Sequence, residues 1–547
     1  MHIDARTLDH NATLKADIAI VGAGIAGITL AIELMDSGLS VLLIECGSYE
    51  TPDAMAEDVA RWQEVGIRDV EPHLCNRRVG GSGWLWGGHC RPLDPIDFEK
   101  RDWVPHSGWP IRYEDMLPHF DRALDICDLR TVPGASVVWD ARQTDAQGLY
   151  PWDQVQYPLN RMGAVDFYQH ALTLRLCGRV RVLTCATLSD VRLTHDLRGV
   201  DHLVCKVGET KTIRVEAQRF VLAAGGVENP SILLRADSQH ECGIGNQHDL
   251  VGRFLQAHPT VDCPFLMLND PKLPPAMVLD WSRISVTDIY RRREALRDYA
   301  FAKIGLSPQV QREHKLLNAA GLLSSFNRTD PTACWREFQQ FVASRGEGLL
   351  EDDAHQKLSA FFGRTDELLR AMHMLRGGNP REDCYFILRF AAEQSPDPES
   401  RVGLLEELDA LGNRRPALDW RINELDRDSI KRTCEILGQP FEAHGLAEDR
   451  LAEPVMDPSW PRVLHGGFHY IGTTRMASDP TQGVVDTDCR VFGVRNLYVA
   501  GCSVFPTCGH APPTFTMVAL AARLARHLAP AGQGQIAEPK AAAPVGA

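Results

Sequence analysis

The sequence predicts an α/β fold built on a parallel sheet, with a second domain of different character. Three observations carry that prediction. Residues 17 to 45 read as a strand, a glycine turn, an apolar helix, a second turn at Gly38 and the short strand "VLLIE", which together make one βαβ unit. Residues 180 to 225 alternate as strands do and end in "RFVLAAGG", a strand running into a glycine turn. Between about 260 and 390, charged stretches such as "VTDIYRRREALRDYAFAKI" and "HQKLSAFFGRTDELLRAMHML" read as helices and predict much of a second domain.

The remaining elements follow in order. Residues 71 to 110 are rich in Gly, Trp and Pro and read as tightly turned, irregular chain. From 465 to 528 glycines and short apolar runs return, ending in the helix "TFTMVALAARLARHL", so the chain is expected to come back to the first domain. The Ala-, Pro- and Gly-rich residues 531–547 hold too few large apolar side chains to offset the entropy of ordering, and a disordered tail is expected.

A chain of 547 residues can bury two substantial cores. Its 58 basic and 72 acidic residues leave a net charge of −14, which repels a phosphate backbone; nucleic acid is not an expected partner. Fifteen cysteines without a C-x-x-C pair fit free thiols in a reducing compartment, so the cytoplasm is the expected location and no metal site is expected. The apolar run "IAIVGAGIAGITLAIELM" follows Lys15 and Asp17 and ends in Glu33 and Asp36, which argues for buried strand and helix; no integral membrane segment is expected.

In "VGAGIAG", Gly22, Gly24 and Gly27 have the G-x-G-x-x-G spacing between a strand and a helix. The first glycine permits the tight turn, the second lets a pyrophosphate approach the backbone, and the third lets helix and strand pack closely. Free N–H groups at the helix start would face the phosphates. Glu45 ends the next strand, where a carboxylate can bind ribose hydroxyls. The motif alone does not separate FAD from NAD.

Three further stretches decide between them. "RRVGGSGWLWGGHCRPLDPIDFEKRDW" resembles the glycine-rich flavin loop of the glucose-methanol-choline (GMC) oxidoreductases, "FVLAAGGVENPSILLRAD" their second FAD segment, and "HYIGTTRM" through "GCSVFPTCGHAPPTFTMVALAARLA" their C-terminal signature. The resemblance implies a Rossmann-like FAD-binding domain and a discontinuous substrate domain of antiparallel sheet plus helices. It places the first part of the FAD domain, with some substrate-domain segments, at 14–258, mainly substrate domain at 259–464, and the C-terminal part of the FAD domain at 465–530. Gly22, Gly24 and Gly27 would hold the pyrophosphate, Glu45 the adenosine ribose and Leu188 the adenine. Gly81, Ser82, Trp86, Gly87 and Gly88 would lie along the flavin, with Trp84 and Trp86 open to a plainer reading as core tryptophans. Gly501, Cys502 and Ser503 would return to the phosphates and ribityl chain, and Pro512 and Thr514 would border the flavin. Leu85 stands where several members carry a histidine bonded to FAD, so the resemblance implies noncovalent FAD.

Oxidising an alcohol requires removal of the hydroxyl proton as hydride leaves for the flavin, and histidine is the side chain whose ordinary pKa suits that task. His469 matches the family's catalytic histidine. His465 is a possible neighbour, and His258, in "LQAHP", reads as structural. Members usually place a polar Asn or His before a Pro-Thr pair. Here "GHAPPT" puts Pro512 there, and His510 is the nearest replacement, unless it is only a turn residue. The implied activity is FAD-dependent oxidation of a CH–OH group on a small molecule such as a sugar, glycoside, polyol or natural product, with oxygen, a quinone or a protein as electron acceptor. A GMC-fold lyase or light-driven decarboxylase, motivated by Pro512, and a non-catalytic scaffold remain as alternatives.

Overall fold

The computed structural model describes residues 1–50, 54–67, 76–130, 137, 139–140, 154–176, 178–268, 300–325, 384–443 and 469–529. Tail residues 531–547, His465 and the helical readings at 286–299 and 355–375 lie outside these residues. The apolar strand Thr13–Val21 runs parallel to Val41–Ile44 on one side and Lys211–Leu222 on the other. Val180–Thr184 and His2–Asp4 continue the parallel order beyond Val41–Ile44. The last three residues of Lys211–Leu222 pair in parallel with Leu497–Val499, while its first half pairs antiparallel with Val200–Val207, which in turn pairs with Thr187–Leu193. All four residues of Val41–Ile44 are buried, as a strand covered on both faces requires.

One helix packs on the central strands of this sheet, and a second packs on that helix. Ile25–Leu34 is apolar nearly all round and lies against Thr514–Leu528. The latter begins behind Pro513, whose φ of −72° is already helical, and carries Arg526 and His527 in its last turn, where positive charge suits the exposed carbonyls.

A second, antiparallel sheet has the order Thr260–Leu268, Cys384–Ala392, Ala319–Ser325, Ile304–Leu306, Val155–Gln156. It is accompanied by helices Pro308–His314 and Glu424–Ala443. The architecture is thus an α/β fold with a parallel nucleotide-binding type of sheet and a separate antiparallel one. One sequence expectation is corrected: the end of the helical reading at 286–304 is extended. Ala300–Ala302 pairs with Leu159–Met162, and Ile304–Leu306 joins the antiparallel sheet, because Phe301 and Leu306 gain buried positions there that a charged surface helix would not give them. The pairing of Leu159–Met162 with His89–Cys90 brings the glycine-rich loop to the same edge.

Candidate active site

The glycine turn after Thr13–Val21 is set by close backbone approach. Gly22 has φ of +104°, and a Cβ there would lie 2.5 Å from the Ala223 carbonyl oxygen; a Cβ on Gly27 would lie 1.9 Å from the Gly22 oxygen. Gly24 differs from both, since beyond its own chain neighbours no protein atom lies within 4 Å of where its Cβ would be. Gly24 caps the helix without any side-chain hydrogen bond, so the helix start faces open space with unsatisfied N–H groups. A cradle of this kind fits a pyrophosphate. The loop at 80–81 closes over it: Gly80 N–H donates to Ala23 O at 2.8 Å, and a Cβ on Gly81 would lie 2.9 Å from Gly24 Cα. Glu45 is buried and its carboxylate accepts from Ala23 N at 2.8 Å and Gly47 N at 3.0 Å. Its position beside the turn fits a ribose partner, with part of its accepting capacity already committed to the backbone.

The other predicted contacts lie around this cradle. Leu188 is buried on Thr187–Leu193. Ser82 is exposed, Gly87 is half-buried, and Gly88 has φ of +78° and accepts from Gly163 N at 2.7 Å. Trp86 is buried against Phe167, with ring centroids 5.4 Å apart, and its Nε1 has no partner among the described residues. Trp84 instead donates to Val79 O and lies under the Arg78 guanidinium. Leu85 is exposed.

Helix Gly225–Arg235 ties the cradle to the C-terminal segment. Asn229 donates to Ala500 O at 3.1 Å and Ser503 Oγ at 3.0 Å, and Thr474 Oγ1 donates to the same Ser503 hydroxyl, which is therefore turned into the protein. Gly501 has φ of +124°, and the Cys502 thiol donates to Tyr470 O at 3.3 Å. Tyr470 O would lie 1.9 Å from a Cβ on Gly226, so the residue after His469 sits directly on the start of that helix. Pro512 is half-buried, and Thr514 is the buried first residue of the last helix.

His469 meets His258. Their Nδ1 atoms are 2.7 Å apart and the rings stand edge to face, with centroids 4.9 Å apart. His258 Nε2 lies 3.3 Å from Cys508 O. Burial, reinforced by the Lys303 ammonium, pushes the His469 pKa down to about 4, and burial with the same charge and His469 pushes His89 down to about 3. Burial and His469 hold His258 well below the ordinary imidazole range. Lys303 is itself pushed down to about 8 by burial and by Arg91. Its ammonium has no hydrogen bond or ion pair among the described residues.

His510 is buried, with Nε2 3.1 Å from Asp94 Oδ2 and Nδ1 without a partner among the described residues. Burial opposes ionisation of Asp94, but Arg91, His510 and Asn318 outweigh it and hold the carboxyl well below the usual range. Burial lowers the His510 pKa despite Asp94. The sequence reading did not single out His89, Lys303 or Asp94, and it took His258 as structural. His89 follows the glycine loop directly, and that adjacency was a usable signal; Lys303 lies in the segment least like any known pattern and carried none. Among the described residues no group of three or more His, Cys, Asp or Glu is arranged to hold a metal ion, and no helix is long and apolar enough to cross a membrane.

The GMC oxidoreductase family model matches residues 396–521. The chain is 22% identical over 599 residues to the fructose dehydrogenase large subunit of Gluconobacter japonicus, covering 94% of this chain and 98% of that protein. It is 23% identical over 578 residues to 6'''-hydroxyparomomycin C oxidase of Streptomyces lividus, covering 94% and 91%. A formate oxidase from Aspergillus oryzae superposes with a TM-score of 0.54 at 16% identity, covering 95% of this chain and 99% of that one, a likeness of fold. Signature segments at both ends of the chain, a glycine cradle that fits FAD and these similarities point the same way: residues 396–521 match the GMC oxidoreductase model, and nearly the whole chain is similar to GMC-type oxidoreductases.

Proposed function

We propose that this FAD-dependent oxidoreductase oxidises a CH–OH group of a sugar, glycoside, polyol or related natural product, with His469 as the general base. The observation that carries the reading is the placement of the half-buried His469 imidazole, 2.7 Å from His258 and joined through Tyr470 to the helix that borders the cradle, where burial and Lys303 push its pKa down to about 4. FAD would be held noncovalently by Gly22, Gly24, Gly27, Gly81 and the 501–503 turn, and when bound it supplies a two-electron acceptor that takes hydride from the substrate carbon. Leu85, exposed and without a nucleophilic atom, supports the absence of a bond at that position.

The chain's own residues supply the rest. A neutral His469 takes the hydroxyl proton; a charged one could not. As that proton leaves, negative charge grows on the substrate oxygen. Lys303 is the cation suited to stabilise it, since its charge reaches His89, His258, His469 and His510. His510 is suited to a different contact. With Nε2–H committed to the Asp94 carboxylate, a neutral His510 presents a bare Nδ1, which can accept from a neighbouring hydroxyl of a polyol but cannot donate to an oxyanion. Lys303 thus answers the loss of a polar side chain at Pro512. The fructose and hydroxyparomomycin in the names of the two relatives support a polyhydroxylated substrate. The test is anaerobic mixing with a panel of sugars, polyols and simple alcohols, read by flavin bleaching. Bleaching by polyhydroxylated compounds in preference to monohydric alcohols is expected, and bleaching by none of them overturns the reading.

A further inference from the structure

We infer that His258 is a positioning residue that decides which nitrogen of His469 carries the proton, leaving Nε2 of His469 bare and able to act as the base. The inference rests on the reading of His469 as general base and adds to it the partner that sets its tautomer.

The pairing is fixed by the backbone. Gln256 and Ile471 exchange two hydrogen bonds, N to O at 2.9 Å in each direction, as an antiparallel bridge. Two residues on from Gln256 is His258, and two residues back from Ile471 is His469, so the histidines are the next pair on the same side of that bridge. The strand end is anchored as well: Ala257 N–H donates to Gln394 Oε1 at 2.8 Å, and Gln256 Nε2 donates to Pro506 O at 3.2 Å. Neither histidine reaches its place through a mobile side chain alone.

Hydrogen-bond direction then follows from what each atom can do. A carbonyl oxygen only accepts, so the 3.3 Å contact of His258 Nε2 with Cys508 O requires the proton on His258 Nε2. A neutral His258 has no second ring proton, and its Nδ1 can only accept. The 2.7 Å contact therefore places a proton on His469 Nδ1. A neutral His469 so protonated has a free lone pair on Nε2 and nowhere else. After that nitrogen takes a proton, the imidazolium still donates through Nδ1 to His258, which stabilises the positive charge as the orienting partner of a catalytic histidine does elsewhere. Here the partner is a neutral ring instead of a carboxylate, which keeps His469 a weak base and a ready proton donor for the reverse step.

The direct test is neutron diffraction from the oxidised holoenzyme. Protons on His258 Nε2 and His469 Nδ1, with His469 Nε2 bare, are expected; a proton on His469 Nε2 overturns the inference. The second test compares His258→Phe with His258→Asn, using FAD content and circular dichroism to establish folding. His258→Phe removes the acceptor, so His469 is expected to occupy both tautomers in its neutron map and anaerobic flavin reduction to slow by about 10²- to 10⁴-fold. His258→Asn keeps an amide oxygen near the Nδ1 position and is expected to recover at least tenfold of that loss. Equal behaviour of the two variants, or a reduction rate in His258→Phe within threefold of wild type, overturns the inference while leaving His469 as base. Retention of rapid reduction in His469→Ala instead removes the underlying reading.

Discussion

Replacing Gly24 with alanine separates folding from cofactor binding at a single atom. Gly24 has φ −83° and ψ −171°, a conformation open to any L-residue, and beyond its own chain neighbours no protein atom lies within 4 Å of the added methyl. The apoprotein is therefore expected to keep its stability to within about 1 kcal/mol, the stiffer unfolded chain offsetting alanine's poorer fit at the helix N-cap. The methyl does, however, occupy the space through which a pyrophosphate would approach the start of Ile25–Leu34. Hydrogen bonds to a charged phosphate contribute about 1.5–3 kcal/mol each, so losing even one weakens FAD binding by about 10- to 100-fold. Thermal unfolding of the apoprotein and a titration with FAD, followed by flavin fluorescence, measure the two effects independently. Unchanged FAD affinity in Gly24→Ala, or an apoprotein destabilised by several kcal/mol, would refute the placement of the cofactor. Gly27→Ala is the contrast, because its methyl would sit 1.9 Å from Gly22 O and must disturb the apoprotein itself.

Three further outcomes follow from the charges around the site. The pKa of His469, about 4 against an ordinary 6.5, is lowered first by burial and second by Lys303, so Lys303 accounts for less than half of the difference. Lys303→Met is expected to move the acid limb of the rate of flavin reduction upward by at most about one pH unit and to slow the reaction; an unmoved or lowered limb contradicts this. Histidines whose pKa the fold lowers also govern stability. His89, His119 and His469, lowered to about 3, 4 and 4, bind protons more readily when unfolded, so the stability they permit is complete above about pH 6.5 and falls as the pH drops toward 4. For His469 alone the full effect is on the order of 3 kcal/mol, and an apoprotein equally stable in urea at pH 7 and pH 5 would contradict it. Finally, Arg101 donates to Glu393 at 2.8 Å with both side chains buried, joining the glycine-rich loop region to the end of the antiparallel sheet. Glu393→Gln is expected to cost about 3–5 kcal/mol in urea unfolding, reduced if Asp97 ionises in its place, while Arg101→Met with Glu393→Leu restores most of the loss; equal stability of all three proteins would contradict the pairing energy.

Much of the fold was legible because its strands and turns are locally determined. "IAIVGAGIAG" and "RFVLAAGG" hold strands buried on both faces beside glycines that their turns require, and both stand where the sequence places them. The stretch ending at Ile304 misled because its many arginines suggest a solvated helix, whereas Phe301 and the pairing of Ala300–Ala302 with Leu159–Met162 pull its end into a sheet. Periodicity cannot register a partner 140 residues distant. The same limit hid His258 and Lys303: His258 becomes a partner of His469 only through the bridge between Gln256 and Ile471, and Lys303 reaches the histidines through a fold in which its own neighbours carry no recognisable pattern.

The most direct measurement of the proposed chemistry is stopped-flow flavin reduction of wild type and His469→Ala under anaerobic conditions, with the best substrate from the panel and FAD content measured in both. With the cofactor retained in each, wild type is expected to bleach rapidly above pH 5 and the variant to slow by at least about 10²-fold, with no remaining acid limb. Equal rates in the two proteins, or a wild-type chain that takes up no flavin, would contradict the account.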